Sequence, residues 1–214
     1  MSDFVGFGIL TVVAGSAAIG AARKIIERRR ARRELREKPP LDTSVPEGAV
    51  VRVTGTVHVL DATVTAPLSG RTCVVVRSRV TAGGKLTSRA QRPLEEIAMV
   101  PFAIDRGAQG RVVVEGEHAL LDLRPLHLRG KAFDRARHER FLIAQGLAVR
   151  EITRAQFEET VVEPGMRVSV AGLMMKDLPT EPAADERGFR DAPATNLRIA
   201  GNVEHPLVIG EPVD

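Results

Sequence analysis

The sequence predicts a mainly β chain of the α+β class. It combines a single N-terminal transmembrane helix with a small curved-sheet or OB-like β-barrel domain that carries a helical insert. Three observations predict this. Residues Phe4–Ala22 carry no charge. From Val51 onward the apolar residues alternate with a period of two, the mark of half-buried strands. The strand pattern Gly-x-x-Val-x-Val-x-Gly occurs twice, at Gly48–Gly55 and Gly165–Gly172. Glycine within a strand marks a sharp bend or bulge in a curved sheet.

The first expected unit is residues 1–22. The uncharged run FVGFGILTVVAGSAAIGAA would span roughly 28 Å as a helix, close to the hydrocarbon thickness of a bilayer. Asp3 precedes it, whereas a cleaved signal peptide carries positive charge there. Small residues recur every four positions at Ala14, Ala18 and Ala22 and at Ser16 and Gly20, a spacing that can pack two helices into a homodimer.

The second unit, residues 23–44, is a basic juxtamembrane helix and linker. Within 23–38, nine basic residues face three acidic ones, so this stretch alone carries +6 while the whole chain is only +4. The high isoelectric point is thus local and implies no basic globular face. Arg30–Glu34 and Arg33–Glu37 sit at i,i+4 and support a helix, which Pro39-Pro40 ends. Basic charge just after the span predicts a single-pass membrane protein with its N-terminus out and its C-terminal bulk cytoplasmic. Arg23, Lys24, Arg28, Arg29, Arg30, Arg32, Arg33 and Arg36 are then candidates for contact with anionic lipid headgroups. A plain stop-transfer flank is the competing reading.

The third unit, residues 45–214, reads as the β domain. Val51–Val59 and Arg71–Thr81 are strands that could pair across the turn residues Pro67 and Ser69-Gly70. Leu94–Ile104, Gly110–Glu115 and Leu120–Leu123 follow as further strands. Asp134–Gln145 has helical spacing, with Phe133, Arg137 and Phe141 on one side and Gly146 as a stop. Ile152–Thr160 is a helix or an extended piece, and Met166–Met174 alternates again. Leu178–Ala194 is loop-like, and Leu197–Ala200 and Leu207–Ile209 close the chain as short strands. Val51, Val53, Val74, Val76, Phe102, Val112, Val114, Val168 and Val170 form the expected core.

Composition limits the chemistry. The 43% hydrophobic content supports a packed core. Cys73 is the only cysteine, which excludes an intramolecular disulfide and a cysteine-rich zinc module. With no Trp and no Tyr, base-stacking platforms are disfavoured, and nucleic acid is not an expected partner. Cys73 lies in a valine-rich strand and reads as a buried structural thiol. His58, His118, His127, His138 and His205 show no helical H-x-x-x-H spacing, so no metal ligand is assigned. Asp105 precedes a turn at Arg106-Gly107, Gly83-Gly84 reads as a hairpin turn, and Glu158-Glu159 would sit beside Arg154. No P-loop, dinucleotide or G-x-S-x-G pattern is present. No catalytic or cofactor-binding residue is assigned.

Several blocks in order, PEGAVVRVTGTV, APLSGRTCVVVRSRV, VPFAIDRGAQGRVVVEGEHALL, FEETVVEPGMRVSVAGLMMKD and LRIAGNVEHPLVIGEP, together resemble the GIDE or "beside a membrane" (BAM) domain over Val45–Glu211. The most specific pieces are Pro67–Cys73, Pro101–Asp105 and Glu159–Gly172. That family includes mitochondrial membrane-anchored ubiquitin and SUMO ligases and prokaryotic relatives. The ligases have two spans and a RING finger. Here one span is visible, and a RING's eight Cys/His ligands are absent. The resemblance therefore implies a scaffold or protein-binding module with an unidentified protein partner. A component of a ubiquitin-like transfer system is the alternative, by analogy alone. A structural accessory subunit of a membrane assembly is a third reading.

Overall fold

In strand β1 (Val50–Val59) Val51, Val53 and Val57 point inward, while Arg52, Thr54, Thr56 and His58 point out. The computed structural model describes residues 29–42, 45–82, 94–116, 118–128, 134–147, 155–176 and 197–213. Helix α1 covers residues 29–37. After β1 come β2 (Val64–Thr65), β3 (Thr72–Cys73), β4 (Val75–Ala82), β5 (Leu94–Met99), β6 (Phe102–Asp105) and β7 (Arg111–Gly116). Then follow β8 (Ala119–Asp122), β9 (Leu126–His127), helix α2 (Arg135–Ala144), β10 (Ala155–Val162), β11 (Arg167–Lys176), β12 (Leu197–Gly201) and β13 (Leu207–Gly210).

The β architecture is a closed five-stranded barrel, ordered β1–β6–β7–β12–β11 and back to β1. The β7–β12 pair is parallel, and the other barrel pairs are antiparallel. β13 adds to the free half of β11, and β8 pairs with β13 in parallel. Inside sit Val51, Val53, Phe102, Ile104, Val112, Val114, Val168, Val170, Met174 and Ile199, all buried. Every residue expected in the core is at most 2% exposed.

The two Gly-x-x-Val-x-Val-x-Gly segments are partners. β1 and β11 pair antiparallel, with Val53 opposite Val170, Val51 opposite Gly172 and Gly55 opposite Val168. The ends match too. Gly48 N–H donates to Met174 O at 2.8 Å, and Gly165 N–H to Val57 O at 2.9 Å. The repeat is therefore a local two-fold pair at the heart of the barrel. Its inner glycines mark where each strand leaves its twin for the next neighbour. A Cβ on Gly55 would lie 2.2 Å from Asp105 O, and one on Gly172 would lie 2.7 Å from Ile199 Cγ2. Only glycine admits so close a crossing.

A second, antiparallel sheet, β5–β4–β10–β9, grows from one end of the barrel. Val75, Val162 and Met99 at its base join the barrel core. Helix α2 covers its face with Phe141 and Leu142 against Leu68, Val80 and Phe157. Asp134 caps α2, its carboxylate accepting from Arg137 N–H at 3.2 Å.

Several expectations need correcting. The Arg71–Thr81 segment does not form a hairpin with β1, because one edge of β1 pairs with β11 and the other meets β6 at Thr56–Val59 and Pro40 at Arg52. Its β4 part pairs with β10 and β5 instead. Leu94–Ile104 is two strands in different sheets, broken at Pro101, which has no N–H to offer a ladder. Ile152–Thr160 is resolved in favour of the strand β10. The expected N-terminal transmembrane helix is not supported. Among the described residues no helix is long and apolar enough to cross a membrane. The 10-residue α2 extends only about 15 Å, half the hydrocarbon thickness, and both described helices are charged. Residues 4–22, including the small-residue spacing, lie outside the described residues. The single-pass topology, its orientation and the membrane localisation built on that helix are withdrawn with it. The Gly83-Gly84 turn and the Leu178–Ala194 loop also lie outside the described residues.

Candidate functional site

Of the eight basic residues singled out, Arg29, Arg30, Arg32, Arg33 and Arg36 lie on α1, and Arg23, Lys24 and Arg28 lie outside the described residues. Helix α1 is seated on the barrel. Its small and apolar residues Ala31 and Leu35 are buried against Ala171 of β11 and Val208 of β13. Arg32 fixes the helix laterally. Its Nε donates to the buried Asp122 carboxylate at 2.8 Å, and Glu211 stands 4.0 Å from its Nη2. These partners raise its already high pKa, the hydrogen bond to Asp122 first. Arg52 Nη1 donates to the Leu35 carbonyl at 3.1 Å, a cation on an orphan acceptor at the helix C-terminus. Beyond α1, Pro39–Leu41 runs beside the open half of β1, with Arg52 N–H donating to Pro39 O at 2.8 Å and Leu41 N–H to Arg52 O at 2.7 Å.

The opposite face of α1 is solvent-exposed and basic. Arg29, Arg30, Arg33 and Arg36 are all exposed. The expected i,i+4 pairs form, Arg33–Glu37 at 2.6 Å and Arg30–Glu34 at 3.7 Å. Exposed pairs of this kind contribute little energy and leave the guanidinium groups accessible.

The remaining candidates are spent inside the fold. The blocks at Pro67–Cys73 and Glu159–Gly172 meet. Glu159, fully buried on β10, accepts the main-chain N–H groups of Leu68 and Ser69, both at 3.0 Å, and the Ser78 hydroxyl at 3.2 Å. A buried carboxylate thus clamps the turn that follows Pro67. The sequence reading missed this role. The available signal was a carboxylate on the apolar side of a β-branched run. Cys73 is buried beside it, and its thiol donates to Val64 O at 3.3 Å. Burial, then the charges of Glu159 and Glu163, push that thiol up to about 11, so it is a poor nucleophile.

Asp105, in the third block, clamps the next turn. It accepts from Gly107 N–H at 2.8 Å and from Arg111 Nε at 3.3 Å, and His58 Nε2 lies 3.6 Å away. The Gly107 bond first, then Arg111, hold its carboxyl below the usual value. Glu158 is 3.6 Å from His127, and its neighbour Glu159 points to the other face of the sheet. Among the described residues no group of three or more His, Cys, Asp or Glu side chains is placed to hold a metal ion.

No protein-family model, curated protein or solved structure matches the chain.

Proposed function

We propose that this chain is a binding module, a GIDE-like β domain that recruits a protein partner through the exposed basic face of α1. The observation that carries the reading is the seating of α1. Ala31, Leu35 and Arg32 lock the helix to the barrel, so Arg29, Arg30, Arg33 and Arg36 are presented outward from a fixed frame. A helix held by tertiary contacts pays less ordering entropy on binding than a free basic tail. Charged residues on such a face govern encounter and partner choice more than final affinity. The chemistry that fits is an acidic protein surface.

The test compares the full chain with an Arg29→Glu/Arg33→Glu/Arg36→Glu variant in quantitative affinity purification and vesicle co-sedimentation. An acidic partner retained by the parent and lost by the variant supports the reading, with circular dichroism unchanged between them. Partners retained equally by both chains overturn it. Charge-dependent sedimentation with phosphatidylserine vesicles, with no protein partner, assigns the face to lipid headgroups instead.

A further inference from the structure

Away from the exposed face of α1, three arginines from distant parts of the chain line one groove on the outside of the barrel. Arg52 comes from β1, Arg167 from the start of β11 and Arg106 from the β6–β7 turn. In the β1–β11 register Arg167 stands opposite Thr56, so it flanks Thr54 on the side away from Arg52. Leu41 and Gln109 complete the wall around Arg106.

Two of these guanidinium groups are oriented without being neutralised. Arg106 donates to the carbonyls of Leu41 at 3.3 Å and Gln109 at 3.0 Å, and Arg52 donates to Leu35 O. Arg106 Nε is buried with no hydrogen-bond partner. Burial also pushes Arg106 below the ordinary arginine value, yet arginine stays charged in proteins. Among the described residues, none of the three forms an ion pair with a carboxylate, and no carboxylate lines the groove. Elsewhere Arg32, Arg71, Arg111, Arg135 and Arg198 each hold one. Asp105, the chain neighbour of Arg106, is engaged with Gly107 N–H and Arg111.

We propose that this groove binds a phosphoryl group. Three cations drawn from three segments suit a tetrahedral dianion with three terminal oxygens. A planar carboxylate offers two oxygens, which a single arginine fork satisfies. The groove measures about 240 Å³. That is below the roughly 300–1,000 Å³ of pockets that enclose whole cofactors, so it accommodates one charged group. No aromatic side chain lines it, so no base or ring is stacked there. The ligand is recognised by its oxyanion, whether free phosphate or the phosphate ester of a side chain.

The experiment is isothermal titration of the full chain with inorganic phosphate and, separately, with O-phosphoserine, at ionic strength held constant with sodium chloride. The expected result is saturable one-to-one binding that weakens about 10- to 100-fold in Arg167→Gln and in Arg106→Gln, the loss typical of one charged hydrogen bond. O-phosphoserine binding should also weaken from pH 7.5 to pH 5, as the second ionisation of the phosphate ester at about 6 is crossed. The Arg167 side chain is exposed, and its guanidinium makes no hydrogen bond or ion pair among the described residues, so its variant is expected to keep the parent fold. Phosphate binding at least as tightly as O-phosphoserine identifies a free anion as the source, and the reverse order identifies a phosphate ester. A response that never saturates, unchanged affinity in Arg167→Gln, or equally tight binding of succinate overturns the proposal. The α1 substitutions leave these three arginines in place, so failure of the α1 reading and failure of this one are separately visible.

Discussion

At the scale of single residues, buried charge is used to hold turns. Glu159 is 0% exposed, and it accepts the Leu68 and Ser69 N–H groups, which have no other acceptor among the described residues. Glu159→Ala strands both donors, and each orphaned buried group costs ~1–3 kcal/mol. The expected loss is about 2–4 kcal/mol, read as a lower urea midpoint with an unchanged slope. Glu159→Gln keeps one acceptor and aims an N–H₂ at a donor, so it should fall between. A loss under ~0.5 kcal/mol for the alanine variant would remove the clamp from the account. A second prediction concerns Asp134, whose carboxyl is held below its usual value, first by the Arg137 N–H bond. For a lowered carboxylate the stabilisation is fully present above the unfolded value of about 3.9. It is lost as pH falls through the lower folded value. Asp134→Ala should therefore unfold at less urea than the parent at pH 7, and the gap should close below about pH 4. A gap that persists unchanged at pH 2.5 would show that the cap does not act through its charge.

At the scale of elements, legibility depended on how local the determining signal was. β1, β7, β11 and α2 could be read from period and stop signals, because alternation, helical spacing and the Gly146 stop are written within a few residues. Strand pairing could not. The repeat at Gly48–Gly55 and Gly165–Gly172 was visible, yet nothing local states that its copies, more than a hundred residues apart, pair with each other. The break at Pro101 was also legible in principle, since a proline without an N–H sits inside the Leu94–Ile104 run. Its β-branched and apolar neighbours obscured it. The two-fold pair carries its own prediction. Gly55→Ala places a methyl 2.2 Å from a main-chain oxygen that cannot yield, whereas at Gly172 the nearest contacts include the ends of Ile199 and Leu207 at 2.7 Å. Both substitutions should destabilise by at least the ~1–3 kcal/mol of an overpacked core, with Gly55→Ala the worse. Thermal melts of the two variants check the order. Equal, negligible losses would mean that the barrel crossing is looser than its geometry.

At the scale of the whole molecule, the candidate site was only half legible. The basic residues of α1 were evident from composition, but which of them face solvent depends on Ala31 and Leu35 meeting Ala171 and Val208 from far along the chain. Arg52, Arg106 and Arg167 drew no attention, because their convergence exists only after the barrel closes. That closure also sets how stability is distributed. The barrel has a continuous ring of hydrogen bonds, and its core cluster is the larger. The outer sheet rests on the smaller cluster under α2, and its β5 strand is an edge whose Glu95, Glu96 and Ile97 are exposed. Local opening follows buried apolar contact and exposed backbone bonding, so the two layers should open at different free energies. Native-state hydrogen exchange should show the β5 amides exchanging through a low-energy opening, while Val53 and Val170, at the centre of the two-fold pair, exchange only through global unfolding. The base of the outer sheet should behave like the barrel, since Val75 and Val162 belong to the barrel core and Val74 N–H donates to Val162 O at 2.9 Å. A gradient rising from β5 to β1 would place the fold's resistance in the closed barrel. Uniform protection across β5, β10 and β1 would mean that the two layers unfold as one unit and that the edge strand is stabilised by contacts beyond the smaller cluster.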